Sequence, residues 1–190
     1  RIELAADNVE QLPPVLADVL ADGDLLPVPT LLAAISEIAR VLKVPLTADI
    51  EGGYSDDLET LAETVKGVIG AGAVGINLED GARAPDLHVR KIEAVRKAAD
   101  QAGAGLFVNA RTDVYLRGLA QGEAALAETL RRAELYRAAG ADGIFVPGPT
   151  DEALLGTLAR DIALPLNVMG RGGAPSAERL QALGVRRLSS

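Results

Sequence analysis

From Leu31 onward, short runs rich in β-branched residues and bounded by glycine or proline alternate with longer segments whose apolar residues recur at helical spacing. The short runs are residues 44–50 (VPLTADI), 74–78 (VGINL), 105–110 (GLFVNA), 143–146 (GIFV), 164–168 (LPLNV) and 185–189 (VRRLS). Each is apolar through its middle, as a strand covered on its outer face must be. Between them, residues 58–69, 87–102, 122–139, 151–160 and 176–183 are amphipathic and long enough for crossover helices. Four helix-to-strand junctions, AGAVG, AGAGL, AGADG and LGVRR, carry glycine, which accepts the left-handed turn that feeds the next strand. Strict alternation of this kind predicts βα units around a parallel sheet. Residues 1–20 (RIELAADNVEQLPPVLADVL) break the alternation and read as helical, interrupted at Pro13-Pro14.

The predicted strands turn polar where they end: Asp49 and Glu51, Glu79 and Asp80, Asn109 and Arg111, Asn167, then Ser189 and Ser190. In a parallel α/β sheet or barrel the C-terminal edge of the strands is where ligands bind. A single polar end is an ordinary loop start, but the repetition along the chain marks one edge as chemical.

Composition narrows that chemistry. The 190 residues are 48% hydrophobic, enough to bury a sizeable core in one domain spanning residues 1–190. No apolar run approaches the ~20 residues that cross a bilayer, and the first residues lack a basic-then-apolar leader pattern, so the expected location is cytoplasmic, without membrane contact. Zero cysteines exclude disulfides, thiolate zinc sites and a cysteine nucleophile, and leave His88 as the single imidazole. Net charge −8 and 3% aromatics argue against a nucleic-acid partner, which calls for a basic face and stacking platforms.

On an extended segment, Asp49 and Glu51 would leave the same face, and a neighbouring strand ~5 Å away would bring Glu79 to the same point. Clustered carboxylates repel unless a cation neutralises them, and an oxygen-rich, water-retaining site suits Mg²⁺ or Mn²⁺. The alternative is a salt-bridged cluster with Arg111. Gly52 and Gly53 either let backbone approach a ligand or simply make a tight turn.

The stretch TADIEGGY (47–54) resembles the ADxDxGYG strand-end motif of the isocitrate lyase and phosphoenolpyruvate mutase superfamily, with Glu51 in place of an aspartate. GINLEDG (75–81), VNARTD (108–113), GIFVPG and PLNVM resemble later strands of that family in the same order, over residues 21–190. The resemblance implies a (β/α)8 TIM-type barrel, in which this chain supplies strands three to eight and is missing the first two strands and the C-terminal helical tail. It also implies a Mg²⁺ site at Asp49, Glu51 and Glu79, directly or through water, supported by Asp24. Arg111 would bind the substrate carboxylate, Gly52, Gly53 and Tyr54 would border the reaction, and Asn167 would contact substrate. The partner would be a small 2-oxo or 2-hydroxy carboxylate, cleaved as a lyase or decarboxylase would through an enolate-like intermediate. A homo-oligomer is expected, because family members often exchange the C-terminal helix between subunits.

The departures matter too. The family's lyases carry a Lys-Lys-Cys-Gly-His signature after the glutamate-bearing strand, and the mutases carry lysine, asparagine and serine there. This chain has DGARAPDLHVRKIEAVR instead, in which His88 reads as a helix-surface residue. Pro147 and Gly148 replace a glutamate of the citrate-type lyases, so the chain resembles the weakly characterised, carboxyvinyl-carboxyphosphonate phosphorylmutase-like branch. P–C bond chemistry on a phosphonate and a catalytically silent assembly barrel remain alternatives. A Schiff-base aldolase fits poorly, because Lys43, Lys66, Lys91 and Lys97 fall outside the predicted strand ends.

Overall fold

The computed structural model describes residues 2–3 and 26–189. Its elements are β1 (Ile2–Glu3), α1 (Val28–Val41), β2 (Thr47–Asp49), α2 (Leu58–Gly70), β3 (Gly75–Glu79), α3 (Pro85–Gln101), β4 (Phe107–Arg111), α4 (Gly122–Ala138), β5 (Gly143–Val146), α5 (Glu152–Asp161), β6 (Leu166–Met169), α6 (Ala177–Ala182) and β7 (Arg187–Ser189). Local chemistry sets several boundaries. Asp57 and Asp151 cap α2 and α5 by accepting from Thr60 N and Leu154 N, each at 2.8 Å, and Pro85 opens α3, where no backbone donor is needed. All six predicted strands and all five predicted helices form, with ends shifted by at most three residues.

The strands lie in the order β1 to β7, each beside its sequence neighbour, and β2 to β7 run parallel. This is a curled α/β half-barrel of six parallel strands. Ile2–Glu3 adds an antiparallel edge strand against β2, so the helical reading of residues 1–20 fails at these two residues. The rest of that segment, and Asp24 beyond it, lie outside the described residues.

Residues alternate between two faces. Ala48, Ile50, Ile76, Leu78, Val108, Ala110, Ile144, Val146, Leu166 and Val168 point outward and join Leu31, Ile35, Leu61, Val65, Ile92 and Val95 of the helices in one apolar core. The register puts Asp49, Asn77 and Asn109 on the opposite, concave face, followed one layer higher by Glu79, Arg111, Phe145 and Asn167. Across this face the Arg187 guanidinium donates to Thr47 Oγ1 at 2.8 Å and joins the beginning of β7 to the beginning of β2. At the same N-terminal rim, Arg96 of α3 donates to Gly140 O and Leu106 O and pairs with Asp142, whose carboxylate also accepts from Val108 N at 2.8 Å. That rim braces the barrel bottom, away from the ligand edge. Among the described residues, no helix is long and apolar enough to cross a membrane.

Candidate active site

A polar ladder leads up the concave face to the strand ends. Asn109 Nδ2 donates to Asn77 Oδ1 at 2.8 Å, and Asn77 Nδ2 reaches Asp49 Oδ2 at 3.3 Å. All three side chains are buried. Asp49 is therefore oriented from below, and its other oxygen accepts from Glu51 N at 2.9 Å. That bond belongs to a turn. The strand stops at Asp49, and Glu51, Gly53 and Tyr54 adopt positive φ of 51°, 90° and 61°. The expectation that Asp49 and Glu51 leave one extended face is corrected: the chain bends one residue before the glycines, and Glu51 instead meets β3 through its carbonyl, which accepts from Glu79 N at 2.8 Å.

The turn is packed from both sides. A Cβ on Gly53 would stand 2.6 Å from Leu61 Cδ1 and one on Gly52 2.9 Å from Arg83 Nη1, so a side chain at either position would crowd its neighbour. Tyr54 is half-buried against the apolar core. Beneath the turn, Lys91 of α3 is 1% exposed and donates to Gly52 O at 2.7 Å and Asp56 Oδ1 at 2.6 Å. The expectation that Lys91 stands away from the strand ends is thus corrected, because its stem crosses from α3 to support the loop after β2.

Glu79 closes β3 with its side chain 8% exposed, between cations and carboxylates. Its Oε2 lies 2.8 Å from Arg111 Nη1, yet the approach angle leaves that oxygen without a hydrogen bond. Burial lifts the Glu79 carboxyl to about 7; Arg111 opposes the rise, while Asp113, Glu51 and Asp49 add to it. Arg111 is held as a fork on Asp113, with Nε to Oδ1 at 2.7 Å and Nη2 to Oδ2 at 3.2 Å, and its guanidinium lies 5.7 Å from the Phe145 ring centre. Asp113 also accepts from Arg117 Nε at 2.9 Å. The ion-pair alternative for Arg111 is therefore present in the fold. Among the described residues, no three Asp, Glu or His side chains converge closely enough to grip an ion directly.

Two further strand-end residues flank this cluster. Asn167 is buried on β6 and donates to Ser189 Oγ at 2.9 Å, so it belongs to the concave face on the far side of Phe145. Asp80, the other acid at the end of β3, turns outward. It is fully buried, accepts from Asp113 N (2.9 Å), Arg132 Nη1 (2.7 Å) and Tyr136 OH (2.6 Å), and so ties α4 to the loop after β4. His88 is 1% exposed rather than on the helix surface, because α3 buries the stripe through His88, Ile92, Val95 and Ala99. It meets Tyr136 edge-on at 4.5 Å, and neither ring nitrogen has a hydrogen-bond partner. Burial, with Lys91, Arg132 and Arg83 nearby, lowers its pKa to about 3.

Sequence reasoning missed Asn77, Asp113 and Arg117. Asn77 had a signal: it is a lone polar residue in an otherwise apolar strand, two residues before Glu79 and therefore on its face.

Together these features define a TIM-barrel-type α/β fold whose ligand edge carries carboxylates and a braced arginine. The model of the phosphoenolpyruvate phosphomutase family matches residues 17–190, and the chain belongs to that family, within the phosphoenolpyruvate mutase/isocitrate lyase superfamily. An uncharacterised protein of Mycobacterium tuberculosis is 36% identical over 162 residues, which cover 83% of this chain and 58% of that protein. Oxaloacetate decarboxylase of Ectopseudomonas mendocina is 32% identical over 157 residues, covering 80% of this chain and 53% of the enzyme. A Burkholderia cenocepacia structure assigned by inference to the phosphonomutases superposes with a TM-score of 0.86 at 40% identity, over 92% of this chain and 74% of that one. The chain spans a little over half the length of these curated relatives.

Proposed function

We propose that this chain carries the metal-and-carboxylate edge of an enzyme that cleaves the bond next to the carbonyl or hydroxyl of a small 2-oxo or 2-hydroxy acid, as a lyase or decarboxylase. The observation that supports it most is the placement of Asp49, Glu79 and Arg111 on one concave face at neighbouring strand ends, with Asp49 oriented by the Asn77–Asn109 ladder. A pure scaffold has no use for an arginine fork beside a buried carboxylate oxygen that lacks a hydrogen bond. Kinship with a protein named oxaloacetate decarboxylase supports C–C chemistry on an oxo acid.

The donor set fits Mg²⁺ held by few direct ligands. Asp49 supplies a carboxylate, Glu79 presents its Oε2, and Glu51 and Asp24 are further candidates acting through water. When bound, the ion would stabilise negative charge on the substrate oxygens. Arg111 would give the substrate carboxylate a planar, two-point contact. Gly52 and Gly53 would border the substrate with backbone, Tyr54 would flank it, and Asn167 would face it from β6.

The test is thermal stability with Mg²⁺, with and without oxalate, pyruvate, oxaloacetate or phosphonopyruvate. Stabilisation by oxalate only when Mg²⁺ is present is expected. A ligand at 100 times its Kd adds about 2.7 kcal/mol to the folded state, and Asp49→Ala should abolish the Mg²⁺-dependent part. Unchanged stabilisation in that variant removes Asp49 from the site. Arg111→Lys should weaken carboxylate binding about tenfold or more while leaving Mg²⁺ binding nearly intact, since an ammonium cannot form the fork. Equal loss of both would favour a purely structural ion pair with Glu79 and Asp113.

A further inference from the structure

The turn after β2 is strained, and a lysine from a helix holds it. Glu51 and Tyr54 carry positive φ without being glycine. Such backbone persists only where the surroundings over-determine it. Here they do so peptide by peptide. The Ile50–Glu51 peptide is fixed at both ends: its carbonyl accepts from Gly53 N at 2.7 Å, and its N–H donates to Asp49 Oδ1 at 2.9 Å. The Glu51–Gly52 carbonyl accepts from Glu79 N at 2.8 Å. The Gly52–Gly53 peptide gives its N–H to Ile50 O and receives Lys91 Nζ on its carbonyl at 2.7 Å. Two of these partners, Asp49 and Glu79, belong to the proposed metal edge itself.

Lys91 reaches the turn from α3. Its side chain is 1% exposed, and a buried ammonium is costly unless its donors find acceptors. Its second bond goes to Asp56 Oδ1 at 2.6 Å, so one nitrogen clips Gly52, inside the turn, to Asp56 beyond it. Arg83 Nε meets the same Asp56 oxygen at 2.9 Å. Docking of α3 does not call for this charge, because His88, Ile92, Val95 and Ala99 already bury that helix. We propose that Lys91 is a positioning residue for the metal edge. By holding Gly52 O it keeps Glu51 in its left-handed conformation and Glu51 N on Asp49 Oδ1, and so fixes from above the carboxylate that Asn77 orients from below. Without Lys91 the Gly52–Gly53 peptide can rotate, the turn relaxes and Asp49 loses its upper contact. This rests on the proposed function and deepens it: Lys91 acts on the ion through the backbone of the turn, touching neither metal nor substrate.

Two measurements on the full chain separate positioning from simple support. The first, without metal, is amide hydrogen exchange at Glu51 and Gly53 followed by NMR. The second is Mg²⁺ affinity by titration calorimetry. Lys91→Met keeps an unbranched side chain and removes the donor. It should speed exchange at Glu51 and Gly53 about tenfold or more, beyond any change at core amides of β3 and β4, and weaken Mg²⁺ binding by about the same factor, as loss of one hydrogen bond from a charged donor predicts. His88→Leu, in the same buried stripe of α3, should change neither. Asp56→Ala, on the more exposed partner, should give both effects in smaller degree, and it carries the test if Lys91→Met does not fold. Exchange at the turn that rises only in step with the core, with Mg²⁺ affinity unchanged, would make Lys91 a tie for α3 and overturn the proposal. A loosened turn that binds Mg²⁺ as tightly as wild type would overturn it too, as would weaker Mg²⁺ binding with exchange at the turn unchanged. Wild-type protein that binds no Mg²⁺, while Lys91→Met still loosens the turn, would overturn the proposed function and leave Lys91 with no metal site to position.

Discussion

Asp80→Ala is expected to destabilise the fold by about 3–5 kcal/mol, the range for removing one partner of a buried ion pair. Asp80 is completely buried and accepts from an arginine, a tyrosine hydroxyl and a backbone amide, each from another part of the chain. Truncation leaves the Tyr136 hydroxyl and Asp113 N without these acceptors, and leaves the nearly buried Arg132 with Glu128 as its remaining carboxylate. The Tyr136 hydroxyl is already pushed far above its usual pKa, first by burial and then by the Asp80 charge, so it stays a donor at any accessible pH. Urea unfolding of the two proteins at pH 7 measures the difference. A loss under about 1 kcal/mol would mean that Glu128 and water satisfy Arg132 unaided. Because Asp80 also holds the backbone of Asp113, a folded variant should bind carboxylates less well while keeping its metal response.

The second large effect is a dependence on pH. His88 has a folded pKa of about 3, whereas an unfolded histidine titrates near ~6.5. Between these values the unfolded chain takes up a proton that the folded chain refuses. Stability from this residue is thus complete above pH ~6.5 and falls as the pH drops towards the folded value, by roughly 1.4 kcal/mol per unit. From pH 7 to pH 5 that amounts to about 2 kcal/mol. His88→Leu should erase this part of the slope. At pH 7 the same variant should change stability by less than about 1 kcal/mol, since neither ring nitrogen gives up a hydrogen bond. Parallel slopes for wild type and variant would show that the imidazole is protonated in the folded protein.

The architecture was legible because the signals that mark it are local. A short β-branched and aromatic run favours a strand, and a glycine after a helix announces the turn, so GIFV at 143–146 maps onto β5 without adjustment. His88 was misplaced although its signal was available: it shares a stripe at helical spacing with Ile92, Val95 and Ala99, which α3 buries. Lys91, with Val95 and Ala98, is the same case. Glu51 went wrong for a different reason. Two residues apart means the same face only while the backbone stays extended, and a positive φ at a non-glycine residue has no signature in composition. The outward turn of Asp80, beside an inward Glu79, follows from strand alternation and could have been read. Its partners Arg132 and Tyr136, more than fifty residues away, could not.

The bond between Arg187 and Thr47 has a meaning for how the molecule is made. Every strand pairs with the strand before it, so the sheet can grow one βα unit at a time as the chain emerges during synthesis, with short loops to close at each step. Thr47 and Arg187 are 140 residues apart, and their contact must wait until β7 has been added. It links the first and last of the six parallel strands, and a fragment ending after β6 can hold nearly all of the core but not this contact.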